Sequence, residues 1–272
     1  KAYERAWGHS LPTNAGKSYQ EMLEGAGESI KALYVMGANP ASERPKWAAN
    51  LDKLDLLVVQ DLFITDTAKY ADVVLPAVSW AEQDGTFTNV ERRVQRAVKA
   101  VRDPESKAAP DWMILDHLAA RLGAHFPYAD EKAITQEIGK VVPCYAGITW
   151  DVLGDQGVQW DAKLVAQKPS LKRAEQPVPS GGEGYDLVTG TVSYDGGDLF
   201  SLTKQMQPMA FKPSVGIHPE DAAKAGLVEG AMLAVRSDLG ELVLPARLDA
   251  TVQQGTVWIP ESLTAAPVGA LL

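Results

Sequence analysis

One cysteine, Cys144, stands in 272 residues. A single thiol excludes a disulfide framework, and it excludes any cysteine-ligated iron–sulfur cluster held within this chain. It lies in the apolar run VVPCYAG with no histidine beside it, so it reads as an inert thiol and not a nucleophile. Histidine is scarce too: His9, His117, His125 and His218 are scattered, without the spacing of a metal site. No apolar run reaches the roughly 18 residues that a spanning helix needs, so no direct membrane insertion is expected. Basic residues number 26 against 35 acidic ones, for a formal net charge of -9, which argues against nucleic-acid binding through a broad basic face. G-x-S-x-G, G-x-G-x-x-G and G-x-x-x-x-G-K-[ST] are all absent. The chain opens KAYERAWG, with neither Met nor a secretory pattern, and reads as if cut from the middle of a longer protein.

What is present begins as an alternation. A short helix is expected over 18–29, with Met22, Leu23 and Ala26 as its apolar positions. Three continuous apolar runs follow, IKALYVMG, LDLLVVQD and ADVVLPA, each suited to a strand buried on both faces. Helical stretches separate them: Glu43 to Leu54, then TDTAKYA with Thr65 or Asp66 as its N-cap. Strand–helix–strand–helix–strand at this spacing implies parallel strands. In such a sheet a ligand crevice lies at the carboxyl ends of the strands, here Gly37 to Pro40, Gln60-Asp61 and Pro76 to Asn89. DWMILDHLAARLG over 111–123 predicts an amphipathic helix between Asp111 and Gly123, with His117 a half-buried packing residue, and a second helix covers 129–140.

Composition shifts from about 150, where Pro, Gly and charge predict a linker or long surface loop. After 185 come the short β-rich runs YDLVTGTV, MLAVRSD, ELVLPARLD and GTVWIP. One helix-like segment, HPEDAAKAGL, has Pro219 in its first turn and His218 as its cap. The fold class is therefore α/β with a parallel sheet, followed by a small β barrel. The expected divisions are 1–150, a linker at 151–184, and 185–272.

Candidate chemistry concentrates in AEQDGTFTNVERRVQ. Glu82, Asp84 and Glu91 are close in sequence but lack the apolar surroundings that would raise one carboxyl, so they read as hydrogen-bonded loop residues. Arg92, Arg93 and Arg96 are the residues for a phosphate, yet such arginines more often tie a loop to carboxylates. Asp61 suits a ribose or base, or equally a turn. Thr86 to Asn89 is expected to lock the fold, with Phe87 inserted into the core. No catalytic residue emerges.

These same stretches carry a resemblance. ALYVMGANP, VVQDLFITDTAKYADVVLPA, AEQDGTFTNVERRVQ and PDWMILDHLAARLG resemble the molybdopterin oxidoreductase superfamily through residues 30–123. IHPEDAAKAGLVEGAMLAVRSDLGEL and VQQGTVWIP are similar to its terminal pterin-dinucleotide-binding domain, a double-psi β-barrel. The resemblance implies that Gly37, Asn39, Asp61 and Asp72 lie near a pterin dinucleotide in relatives. Active members carry a Gly-Arg turn and a His- and Thr-rich run where this chain has LVTGTVSYDGGDLFSLTKQM. Thr191 stands in place of the Arg, and Tyr194-Asp-Gly-Gly-Asp198 in place of the run. That difference, and the ending ESLTAAPVGALL, make the chain most like the C-terminal part of the large iron–sulfur subunit of NADH-quinone oxidoreductase (respiratory complex I). The reading implies no cofactor in this stretch and four vestigial pterin-site positions, with iron–sulfur clusters in a preceding part. It implies other peripheral-arm subunits as partners and a peripheral place on the cytoplasmic side of the membrane. A molybdopterin-dependent formate dehydrogenase is the alternative.

Overall fold

The computed structural model of the chain describes residues 2–164, 184–194, 197–261, 263 and 267–272. Elements run in the order α1 (Ala2–Trp7), α2 (Tyr19–Glu24), β1 (Ala32–Met36), α3 (Pro40–Glu43), α4 (Pro45–Leu51), β2 (Leu56–Asp61), β3 (Val73–Pro76), β4 (Gly85–Thr88) and β5 (Arg93–Ala97). Next come α5 (Asp111–Arg121), α6 (Glu131–Val141), α7 (Trp150–Leu153) and β6 (Val158–Gln159). The rest is β7 (Asp186–Gly190), α8 (Asp198–Ser201), β8 (Val215–Ile217), α9 (Pro219–Lys224), β9 (Met232–Arg236), β10 (Glu241–Leu248) and β11 (Thr256–Pro260). Contacts group the chain into two compact units, one of 1–16, 60–62 and 75–174, the other of 17–59, 63–74 and 175–272. This cut differs from boundaries at 150 and 185.

The second unit holds most of the first sheet, ordered β1-β2-β3. The Lys31 carbonyl accepts from the Asp55 and Leu56 amides, the Leu57 carbonyl from Asp72 N and the Asp61 carbonyl from Ala77 N. Bonded positions advance together along both strands, the mark of parallel pairing. α2 begins at Ser18, whose hydroxyl and the Glu21 carboxylate form a capping box. Leu23 of α2 and Trp47 and Leu51 of α4 pack with Leu57 and Val59 of the sheet. β1 alternates, with Leu33 and Val35 facing the core, while Tyr34 is 38% and Met36 49% exposed. The expectation that the three runs are buried on both faces is corrected: β2 exposes Leu56 and no residue of β3 is buried.

The same unit contains a five-stranded mixed sheet, β7-β11-β8-β10-β9. β11 runs parallel to β7 and antiparallel to β8, and β10 runs parallel to β8 and antiparallel to β9. Its core is Val215, Leu244, Val257, Ile259, Leu263, Val268 and Leu271. α9 is capped by His218, whose Nδ1 accepts from Glu220 N at 3.2 Å, as its sequence suggested. Asp221, 4% exposed, accepts from Gly255 N at 2.7 Å and from Lys224 Nζ at 3.0 Å. Those donors hold its carboxyl below the usual carboxylate range, Gly255 foremost.

In the first unit the stretch expected as a polar loop is an antiparallel hairpin of β4 and β5, with β6 added beside β5. Val94 is buried with Ile148 and Leu153. Strand periodicity explains the rest. Thr88 pairs with Val94 on the core face, and Phe87 pairs with Gln95 on the other. Phe87 is accordingly 53% exposed and plugs no core, contrary to expectation. His117 is exposed on α5, not half-buried. Of the expected linker, 151–164 closes α7 and supplies β6, and 165–183 lies outside the described residues. No described helix is long and apolar enough to cross a membrane.

Candidate functional site

The carboxyl end of β1 turns at Gly37, whose φ of +58° is the left-handed region that favours glycine. Nothing lies within 4 Å of where a Cβ would stand, so the requirement is conformational and the space beside it is open. Asn39 follows as the N-cap residue of α3, with buried Pro40 at the first helical position. Its side chain does not cap that helix. Instead Oδ1 accepts from the amide and the hydroxyl of Thr67, both at 2.9 Å. The Thr67 oxygen in turn accepts from Ala41 N at 3.0 Å. Thr67 is fully buried, and the neighbouring Thr65 hydroxyl accepts from Ala68 N, capping the 3-10 turn Thr67–Tyr70. A closed polar network thus fixes the loop after β1 on the turn before β3.

Asp61 ends β2. Its Oδ1 accepts from Leu62 N at 2.7 Å and its carbonyl from Ala77 N at 3.0 Å. Asp72 sits at the opposite edge of the sheet, before the first residue of β3. It exchanges two bonds with Leu57, its amide donating to the Leu57 carbonyl and its Oδ2 accepting from Leu57 N at 2.7 Å. The four residues singled out in the sequence therefore do not converge. Asp72 stands one strand-length, about 13 Å, from the carboxyl end of β3.

The residues of the hairpin region are held by their own surroundings. Glu82 forms a capping box with Ser79, and the Ser79 amide and hydroxyl hold its carboxyl below the usual range. Asp84 accepts from Lys99 N at 2.9 Å, and Glu91 lies 3.7 Å from Arg93 on the surface. Arg96 pairs with Asp155 at 3.0 Å, and the Arg92 guanidinium lies over the Trp160 ring at 5.6 Å. Arg92 adopts φ +66° in the hairpin turn, where its amide donates to the Asn89 carbonyl. These contacts are structural ones. The signal for them was available in S-x-x-E and N-V-E-R, which are turn and cap patterns.

The start of the β-rich part is the other candidate. Thr191 is exposed after β7, and Tyr194 adopts φ +59° with its carbonyl accepting from Phe211 N at 2.9 Å. Asp195 and Gly196 lie outside the described residues. From Tyr185 to Thr203 the sequence has no Arg, Lys or His and contains Asp186, Asp195 and Asp198. A pyrophosphate requires cationic or N–H donors at close range. This segment has no cationic side chain to meet that requirement, and Asn39 Oδ1 and Asp72 Oδ2 already accept from protein groups. Among the described residues no group of three or more His, Cys, Asp or Glu is placed to hold a metal ion.

Comparison with known proteins agrees with this architecture. Residues 4–121 match the family model described as molybdopterin oxidoreductase, and 187–271 match the molydopterin dinucleotide binding domain. The chain is built from domains of the molybdopterin oxidoreductase family. It is 37% identical to F420-dependent formate dehydrogenase 1 subunit alpha of Methanococcus maripaludis, an alignment covering 95% of this chain and 42% of that protein. It is 35% identical to NADPH-Fe(3+) oxidoreductase subunit alpha of Geobacter sulfurreducens, over 99% of this chain and 32% of that protein. An NADH-quinone oxidoreductase subunit of Rhizobium meliloti is 32% identical, again over 99% and 32%. The chain thus spans less than half the length of these relatives. Acetylene hydratase from Pelobacter acetylenicus shares the fold, with a TM-score of 0.71 over 89% of this chain and 39% of that one, at 19% identity.

Proposed function

We propose that these residues are a scaffold part of the large iron–sulfur subunit of an NADH-quinone oxidoreductase. In this reading the pterin fold is kept without its pterin. Electrons pass from NADH to quinone through iron–sulfur clusters outside these residues, as the single cysteine requires. The observation that carries the proposal is the segment 185–203, which offers a polyanionic cofactor carboxylates and no cationic side chain. The second support is that Asn39 and Asp72 act on the protein's own backbone, holding the sheet edges in shape. Other peripheral-arm subunits are the partners, and the place of action is the cytoplasmic face of the membrane.

A second reading is a formate dehydrogenase-like oxidoreductase, favoured by the 37% identity to the Methanococcus maripaludis protein. A deletion strain separates the two. The complex I reading predicts that its membranes lose NADH:quinone reductase activity while formate-dependent dye reduction persists. Loss of formate oxidation with intact NADH:quinone activity would favour the second reading.

A further inference from the structure

The turn Val268–Ala270 packs where the loop of the candidate site ends. Val268 is 2% and Leu271 4% exposed, both in the core formed with Leu244, Val257 and Ile259. Gly269, between them, lies against the carbonyl of Glu43, the last residue of α3. A Cβ at 269 would overlap that oxygen and would stand 2.9 Å from the Glu43 carbonyl carbon and 3.0 Å from Arg44 Cγ. On its other side the turn closes on Gly240, where a Cβ would stand 2.5 Å from the Ala270 carbonyl oxygen. Arg44 Nη1 reaches the Leu272 carbonyl at 3.5 Å, and its guanidinium lies 4.8 Å from the centre of the Trp47 ring. The Tyr19 hydroxyl donates to the Glu43 carboxylate at 2.7 Å while the ring meets Trp47 edge-on at 5.6 Å. Burial and that carboxylate push the Tyr19 hydroxyl well above its ordinary range, so it stays a donor.

α3 has four residues, so it is about 6 Å long. Its first residue follows Asn39, whose side chain holds Thr67, and its last carbonyl rests on Gly269. A helix of one turn between two packed contacts has little room to absorb a shift at either end.

We propose that the turn Val268–Ala270 is a positioning clamp: through the Gly269–Glu43 contact it sets α3, and α3 keeps Asn39 on Thr67. Gly269 is a positioning residue, touching no ligand itself. The clamp stands whichever oxidoreductase the chain serves, because it concerns the loop's placement and not what the loop meets.

The test is residue-resolved amide hydrogen exchange on the full chain carrying Gly269→Ala. The amides to watch are Ala41 N and Thr67 N, which donate into the Asn39–Thr67 network. The clamp predicts that both exchange about tenfold faster while the β4–β5 hairpin amides keep their rates. Exchange at Ala41 and Thr67 unchanged from wild type would overturn it, even with a lowered melting temperature, because a merely structural contact lowers stability without singling out those two amides. Should Gly269→Ala fail to fold, Arg44→Ala removes the Leu272 and Trp47 contacts without adding an atom. It is expected to accelerate the same two amides about threefold. No change there would equally refute the clamp.

Discussion

Asn39→Ala is the sharpest probe of the loop that shapes the candidate crevice. The substitution deletes one oxygen that accepts two hydrogen bonds at 2.9 Å, from the amide and the hydroxyl of a fully buried threonine. Each buried donor left without an acceptor costs about 1–3 kcal/mol. The hydroxyl still accepts from Ala41 N at 3.0 Å and can turn its hydrogen elsewhere, which lowers the second loss. The expected total is about 2–4 kcal/mol. With an m-value of about 3 kcal/mol/M for urea, the midpoint falls by roughly 1 M. Thr67→Val removes the same hydroxyl from the other side. The pair should therefore be non-additive, with a coupling of about 1–2 kcal/mol in a double-mutant cycle. A midpoint shift below about 0.2 M for Asn39→Ala, or full additivity of the two substitutions, would refute the claim that Asn39 serves the fold.

Three further outcomes follow from the same reasoning. Phe87→Ala should cost less than about 1 kcal/mol, because half the ring faces solvent, whereas Val94→Ala on the opposite face should cost about 2–3 kcal/mol; denaturant midpoints in which Phe87→Ala is the more damaging would reverse the face assignment. Leu57→Ala, beneath α2 and α4, should cost about 2–5 kcal/mol by the same measurement. Asp221 has a folded-state pKa below its unfolded value, so its stabilisation is complete above about pH 4 and is lost as pH falls through the lower, folded value. Melting temperatures followed from pH 6 downward should thus fall less steeply for Asp221→Asn than for wild type, and parallel curves would contradict it.

Much of the first sheet was legible because apolar runs alternate with helix-length segments. The runs at 32–36, 56–61 and 73–76 are continuous and apolar, and they are the parallel strands. The helix expected over 18–29 is α2, Tyr19–Glu24, which ends at Gly25 short of Ala26; the S-x-x-E of its Ser18–Glu21 capping box was an unused start signal. Asp111 has the look of a cap but lies inside the first turn of α5, where its Oδ1 accepts from the buried Gln60 amide at 2.5 Å. That contact spans 51 positions, and no local pattern encodes it. The hairpin at 85–97 was hidden because its strands, GTFT and RVQRA, are rich in Thr, Arg and Gln, and Val94 is their one buried residue. β8 escaped because three residues, Val215 to Ile217, are too few to show a period, and it is placed by pairing with β10 and β11. For the site, residue types were visible and partners were not. Asp72 was singled out through the resemblance alone, and its place at the start of the run ADVVLPA already put it at the amino edge, where it pairs with Leu57.

The central claim is that a pterin fold here serves without a pterin. The most direct measurement is metal analysis of the purified native protein, combined with the fluorescence of oxidised pterin released from it. The account predicts neither molybdenum nor tungsten at stoichiometric level, and no pterin signal. One molybdenum or tungsten per polypeptide together with a pterin signal would contradict it and move the assignment to a formate dehydrogenase-like enzyme.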